Sequence, residues 1–185
     1  MKRLFTAILT AALVLSLAAC GAKPAASSSR PAAQKDYVQI IKDARTDEFN
    51  ESYPILSGTT GADAALGHNP FSAAEDEAKS MYDMVVEMTG LKPELMTQYA
   101  MSISMMNVQV YAVGIFKPAE GKAQEVVDAA NGFVQMQQKA QEQYLADQYA
   151  IAKAAIVKEL PTGEVILVMC EDAGKVAEKI ETALK

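Results

Sequence analysis

The sequence has no tryptophan, one histidine (His68) and two cysteines (Cys20 and Cys170), and each scarcity removes a class of chemistry. A zinc site is built from clustered His, Cys or carboxylate ligands, which a lone histidine and two isolated thiols do not supply. With aromatic residues at 6% and no tryptophan, a sugar-stacking platform is disfavoured, although tyrosines could furnish part of one. Acidic residues are missing before Asp36, whereas Lys2, Arg3, Lys23, Arg30 and Lys35 take five of the 17 basic ones. The 12 basic residues that remain therefore face all 23 acidic ones, a net charge of −11 after Lys35. A domain that acidic repels phosphate backbones, so nucleic acid is excluded as a partner. "SGTTG" (Ser57 to Gly61) has no following lysine and is no P-loop, and "DARTDEFNE" (Asp43 to Glu51) lacks the ligand spacing and central glycine of an EF-hand.

What is present is most specific at the N-terminus. Basic Lys2 and Arg3 precede an apolar run from Leu4 to Leu17, and small Ala18 and Ala19 lead to Cys20. These are the three parts of an export signal. As a helix the run rises only about 21 Å, against a hydrocarbon core of about 30 Å, and is too short to span comfortably. Leu17-Ala18-Ala19-Cys20-Gly21 resembles the bacterial lipobox, in which the cysteine thiol is diacylated and the signal is cut off just before it. The expectation is a signal peptide over 1–19, lipidated Cys20 with a tether over 20–35, and a single globular domain over 36–185. Two acyl chains hold a protein stably on a bilayer, at about 0.8 kcal/mol per buried CH₂. Gly21 to Gln34, rich in alanine, serine and proline, is too poor in large apolar residues to fold.

With 185 residues, half of them apolar, the chain can bury one real core. Tyr37 to Arg45 fits one helical face (Tyr37, Ile40, Ile41, Ala44) or one side of a strand, and the helix is preferred. Asn50 to Pro70, with Pro54, Gly58, Gly61 and Gly67, reads as a long surface loop. Ser72 and Glu75 form a capping-box pattern ahead of Met81, Met84, Val85 and Met88 at helical spacing, closed by Gly90. Pro93 predicts a second short helix carrying Leu95, Met96 and Tyr99. "SISMMNVQVYAVGIFKP" (Ser102 to Pro118) predicts a strand, half-exposed at first and apolar on both faces at Val113 to Phe116. A long helix from Pro118 follows, lined by Val126, Val127, Ala130, Phe133, Val134 and Tyr144. Ala155 to Leu160 and Glu164 to Cys170 are strands joined by "PTG", and Asp172 is placed to cap a last helix. The architecture these elements imply is α+β, a small mixed or antiparallel sheet with helices mainly on one face.

The chemistry on offer is limited. Cys170 ends the apolar run "VILVMC", where a cysteine acts as a small buried hydrophobe; the competing reading pairs it with His68 as a nucleophile. Glu75, Asp76 and Glu77 fall in a first helical turn, where negative charge suits the macrodipole. Seven of the ten methionines crowd between Met81 and Met106. Thioethers suit Cu(I), but they also fill irregular cores and line adaptable binding surfaces.

Lipobox, tether, "MSISMMNVQVYAVGIFKPAEGKAQEV", "QYLADQYAIAKAAIVKELPTGEVILVMCED" and the terminal amphipathic helix together resemble the Gram-positive bacterial lipoproteins catalogued as domain of unknown function 4358. The most specific pieces are "MMNV" (Met105 to Val108), the Q-Y-x-x-D-Q-Y pattern at Gln143 to Tyr149, and the hairpin after it. The resemblance implies no assigned activity, so it carries no catalytic residue over. The expected function is a non-catalytic, membrane-anchored extracytoplasmic module that binds a peptide, protein or small ligand, with no cofactor, no metal and no catalytic residue assigned. The alternatives are an envelope hydrolase using carboxylates assembled by the fold, and a soft-metal binder.

Overall fold

The computed structural model describes residues 35–59 and 75–185. Cys20 with the signal and tether, His68, and the Ser72 cap lie outside the described residues. Five strands form one sheet in the order β1-β2-β3-β5-β4, from β1 (Leu56–Thr59), β2 (Met96–Ile103), β3 (Ala112–Pro118), β4 (Ile156–Glu159) and β5 (Val165–Met169). Every neighbouring pair is antiparallel. Six helices accompany it: α1 (Tyr37–Ala44), α2 (Asp47–Ser52), α3 (Glu75–Thr89), α4 (Ala123–Gln141), α5 (Ala146–Lys153) and α6 (Ala173–Ala183). The fold class is α+β, as the sequence implies.

The layering differs from expectation, because helices cover both faces of the sheet. Successive strand residues point to opposite sides. Ala112, Phe116, Val165, Leu167 and Met169 face a core shared with Val85 of α3, Val126, Ala130 and Phe133 of α4, and Ala152 of α5. Their neighbours Val113, Ile115, Ile166 and Val168 face a second core with Tyr37 and Ile41 of α1 and Val176, Ala177 and Ile180 of α6. Central strands apolar on both sides cannot leave one face in water, and α1 and α6 supply the second cover.

Several elements depart from the sequence reading. Pro93–Leu95 is one 3-10 turn, and Met96 and Tyr99 belong to β2 instead of a helix. A register irregularity between Met96 and Gln98 explains the error. The bulge resets the alternation, so residues three apart meet the same core and imitate helical spacing. The supposed loop after Asn50 contains the end of α2 and the edge strand β1, which pairs Leu56 with Met101 and Thr59 with Gln98. The run from Ser102 to Pro118 is not one strand: it holds the end of β2, a connection over 104–111, and β3. The long helix breaks after Gln141 and resumes as α5, and Tyr144 is exposed instead of buried. Asp172 precedes α6 in a left-handed conformation (φ 55°) and its side chain makes no cap bond; it accepts from Lys175 Nζ at 3.0 Å instead. The hairpin stands as expected, closed by Leu160 N–H to Glu164 O at 2.7 Å, with Gly163 at φ +90°.

Candidate functional site

The sheet has two ends of different character. Where β2 begins and β3 finishes, Gln98 Nε2 donates to Lys35 O at 2.6 Å, and the Lys35 ammonium reaches both Leu184 O and, at 3.8 Å, Glu164. The chain enters the fold at this end. At the other end β2 passes into the 104–111 connection, and a polar cluster lies beneath it.

That cluster centres on Arg45, only 5% exposed, just past the last turn of α1. Its Nε donates to Asn50 Oδ1 at 2.6 Å, Nη1 donates to Ser102 Oγ at 2.7 Å and Tyr111 Oη at 2.9 Å, and Nη2 donates to Tyr53 O at 2.6 Å. Ser102 Oγ donates in turn to Tyr53 O at 3.1 Å. The guanidinium fork thus ties α1, α2, the α2–β1 segment, β2 and the end of the 104–111 connection together, a task that needs several donors in one plane. Phe49, Tyr53 and Tyr111 close over it, with centroids 4.9 Å apart for Phe49–Tyr111 and 4.3 Å for Tyr53–Tyr111. Burial pushes the Tyr111 phenol up, and the Arg45 charge partly offsets this. Every partner of Arg45 here is a neutral oxygen; the cluster is a staple.

The connection above the staple is held from the opposite side by two glutamines. Gln141, buried at the end of α4, donates from Nε2 to Asn107 O at 2.8 Å, and Gln148 Oε1 on α5 accepts from Val110 N–H at 2.8 Å. Ser104 Oγ accepts from Met106 N–H at 3.1 Å, and Gln109 N–H donates to Met106 O at 3.1 Å. On this fixed backbone Met105, Met106 and Val108 are 41%, 53% and 54% exposed. Tyr144, 65% exposed, stands in the turn between the two glutamines, its N–H donating to Gln141 O. An anchored loop with several exposed large apolar side chains is the candidate contact surface. Both segments that carry the sequence resemblance border this connection: Asn107 of "MMNV" is bonded by Gln141, two residues before Q-Y-x-x-D-Q-Y, and Gln148 of that pattern is bonded to Val110, two residues after "MMNV". Their proximity was not readable from spacing, since 34 residues separate Asn107 from Gln141.

The other candidates are less productive. Cys170 is buried, and its thiol is pushed up to about 12 by burial and then by Asp172 and Glu171, the reverse of what a nucleophile requires. Glu164 is the one buried carboxylate among the described residues; its Oε1 accepts from Tyr37 Oη at 3.1 Å. No second buried carboxylate lies beside it among the described residues. The methionines disperse: Met96 and Met101 are core, Met88 packs half-buried against it, and Met84 is exposed on α3. Among the described residues no group of three His, Cys, Asp or Glu side chains is placed to hold a metal. Nor is any of their helices long and apolar enough to cross a membrane. The space enclosed by Leu56, Tyr82, Val85, Tyr99 and Phe116 amounts to about 10 Å³, the limit for a single water.

Comparison with protein families matches residues 73–171 to the family described as domain of unknown function (DUF4358). The matched span is more than half of the chain, and the chain belongs to this family. Neither the curated proteins nor the solved structures contain a match.

Proposed function

We propose that this member of the family is a lipid-anchored, extracytoplasmic binding module of a bacterial envelope, non-catalytic, whose contact surface is the 104–111 connection with Tyr144. Three features support the reading. The lipobox at Cys20 gives the address, and Gly21 to Gln34 provides a tether of a few tens of ångströms when extended. The polar groups at the candidate site form a staple with no nucleophile-base pair. The observation that carries the reading is the exposure of Met105, Met106 and Val108 on a loop bonded down at both sides. Exposed apolar side chains lose solvent contact on binding, and a fixed loop does so with little ordering cost.

A photo-crosslinking residue at Val108, compared with one at exposed Glu159 near the other end of the sheet, tests the binding role in intact envelopes. Discrete adducts from position 108 alone are expected, weakened by M105D/M106D. Adducts that are absent, or equal from both positions, refute it. The address is tested by Cys20→Ser: the parent chain should begin at Cys20 and sediment with membranes, and the variant should stay unprocessed or soluble. A variant processed and membrane-bound like the parent refutes the anchor.

A further inference from the structure

The apolar loop is set among carboxylates. Glu48 and Glu51 on α2, Glu142 and Asp147 flanking Tyr144, and Glu171 after β5 are all exposed, and among the described residues none is in a salt bridge. Each is placed at this end by its neighbours. Phe49 packs its ring at a tilt against Tyr111, Tyr144 is bonded to Gln141, and Met169 pairs with Ala112. The cations nearby are fewer: Lys175 is paired with Asp172, Lys153 lies 5.5 Å from the Tyr149 ring centroid, and Lys42 and Lys139 remain. The loop also lies at the end of the sheet away from Lys35. Gln98, which holds Lys35 O, and Ile103, where β2 ends, are separated by about 16 Å of strand.

We infer that this end of the sheet docks a basic amphipathic segment of a partner protein, with its apolar side chains on Met105, Met106, Val108 and Tyr144 and its Lys or Arg residues among the carboxylates. The inference rests on the binding-module reading and names the chemistry of the partner. Methionines suit the role because unbranched, polarizable side chains repack around differing apolar faces. Opposed charge at the rim steers the encounter and selects against acidic partners. An anionic bilayer is disfavoured as the occupant, because five carboxylates would face its surface.

The chain contains no tryptophan, so Val108→Trp installs a single reporter. The full-length chain carrying it, held in phosphatidylcholine nanodiscs, is titrated with a tryptophan-free Leu/Lys amphipathic helical peptide, with its Leu/Glu counterpart, and with phosphatidylglycerol vesicles. Expected is a saturable blue shift with the Leu/Lys peptide alone, weakened by salt and weakened at least about tenfold by M105S/M106S. Those residues are exposed, so circular dichroism and the thermal midpoint should stay at the parent values. No saturable shift with Leu/Lys, an equal shift with Leu/Glu, or a shift with the vesicles each overturns the inference. The binding-module reading fails separately: envelope adducts at position 108 without Leu/Lys binding leave a module for a partner of other chemistry, whereas no adducts remove both.

Discussion

The rings of Tyr53 and Tyr111 stack at 4.3 Å and 15°, and both residues accept hydrogen bonds from Arg45, Tyr53 through its carbonyl and Tyr111 through its hydroxyl. One buried cation therefore fixes the α2–β1 segment against the end of the 104–111 connection while the aromatic pair seals it from water. The neutral oxygens around the guanidinium supply the solvation that water would otherwise give.

Arg45→Lys keeps the charge but loses the planar fork, so Asn50, Ser102, Tyr111 and Tyr53 cannot all be reached at once. The expected loss of stability is about 1–3 kcal/mol. Tyr111→Phe removes a single acceptor and should cost about 1 kcal/mol. Urea unfolding measures both. A Lys variant as stable as the parent would show that the fork is dispensable.

Gly114 occupies the middle of β3, where a Cβ would lie 2.4 Å from Phe116 Cζ and 2.8 Å from its Cε2. The absent side chain makes room for the Phe116 ring, which is fully buried against α4. Gly114→Ala should destabilise by about 1–3 kcal/mol through overpacking. Adding Phe116→Leu should recover part of that loss, which two independent effects would not do. A double variant whose destabilisation is the sum of the single ones would rule out the proposed clash.

Much of the fold was legible where one periodicity dominated: α3, α4, α6 and the β4–β5 hairpin follow from apolar spacing and turn residues, whereas α1 fitted helix and strand alike. The failures share a cause, since each needed knowledge of a neighbour. The bulge at Met96/Gln98 is defined by its partner β3, β1 exists only as an edge on β2, and the break after Gln141 goes with the docking of the 104–111 connection there. The candidate site was half legible. The methionine enrichment and the "MMNV" and Q-Y-x-x-D-Q-Y segments were visible, whereas the bonds of Gln141 to Asn107 and of Gln148 to Val110 are tertiary facts. Arg45 gave no signal, because a buried arginine and a surface one look alike in sequence.

Cys170 makes the fold sensitive to alkali. Its thiol has a model-compound value of 9.0 and is pushed up to about 12 in the fold, by burial first and by Asp172 and Glu171 next. Between those values the native thiol keeps a proton that the unfolded chain releases, so stability falls as pH rises, by up to about 1.4 kcal/mol per unit from this group alone. Below pH 9 both states are protonated and the contribution to the slope vanishes. The buried Tyr111, also raised, adds in the same direction. Cys170→Ala should flatten the decline measured by urea unfolding at pH 9 to 10.5. In native buffer the parent thiol should resist a maleimide and react on unfolding; rapid native labelling would contradict the burial.

The 104–111 connection is bonded to α5 as well as within the sheet. Val110 is buried and its N–H donates to Gln148 Oε1 at 2.8 Å, across 38 residues of sequence. On the other side Ser104 N–H donates to Tyr111 O at 2.9 Å, continuing the β2–β3 pairing for one more step. If the glutamine is the second anchor, Gln148→Ala should cost only about 1 kcal/mol globally, the net value of one hydrogen bond. Its local effect should be larger, because the connection then opens without unfolding the sheet and the Val110 amide exchanges by that route. Gln148→Glu retains an acceptor at the same reach and should restore protection. Hydrogen exchange read at Val110 decides the matter: protection unchanged in Gln148→Ala would mean that strand pairing and the Gln141–Asn107 bond hold the loop without Gln148. Protection lost in the alanine variant and regained in the glutamate variant would make α5 the support that presents Met105, Met106 and Val108.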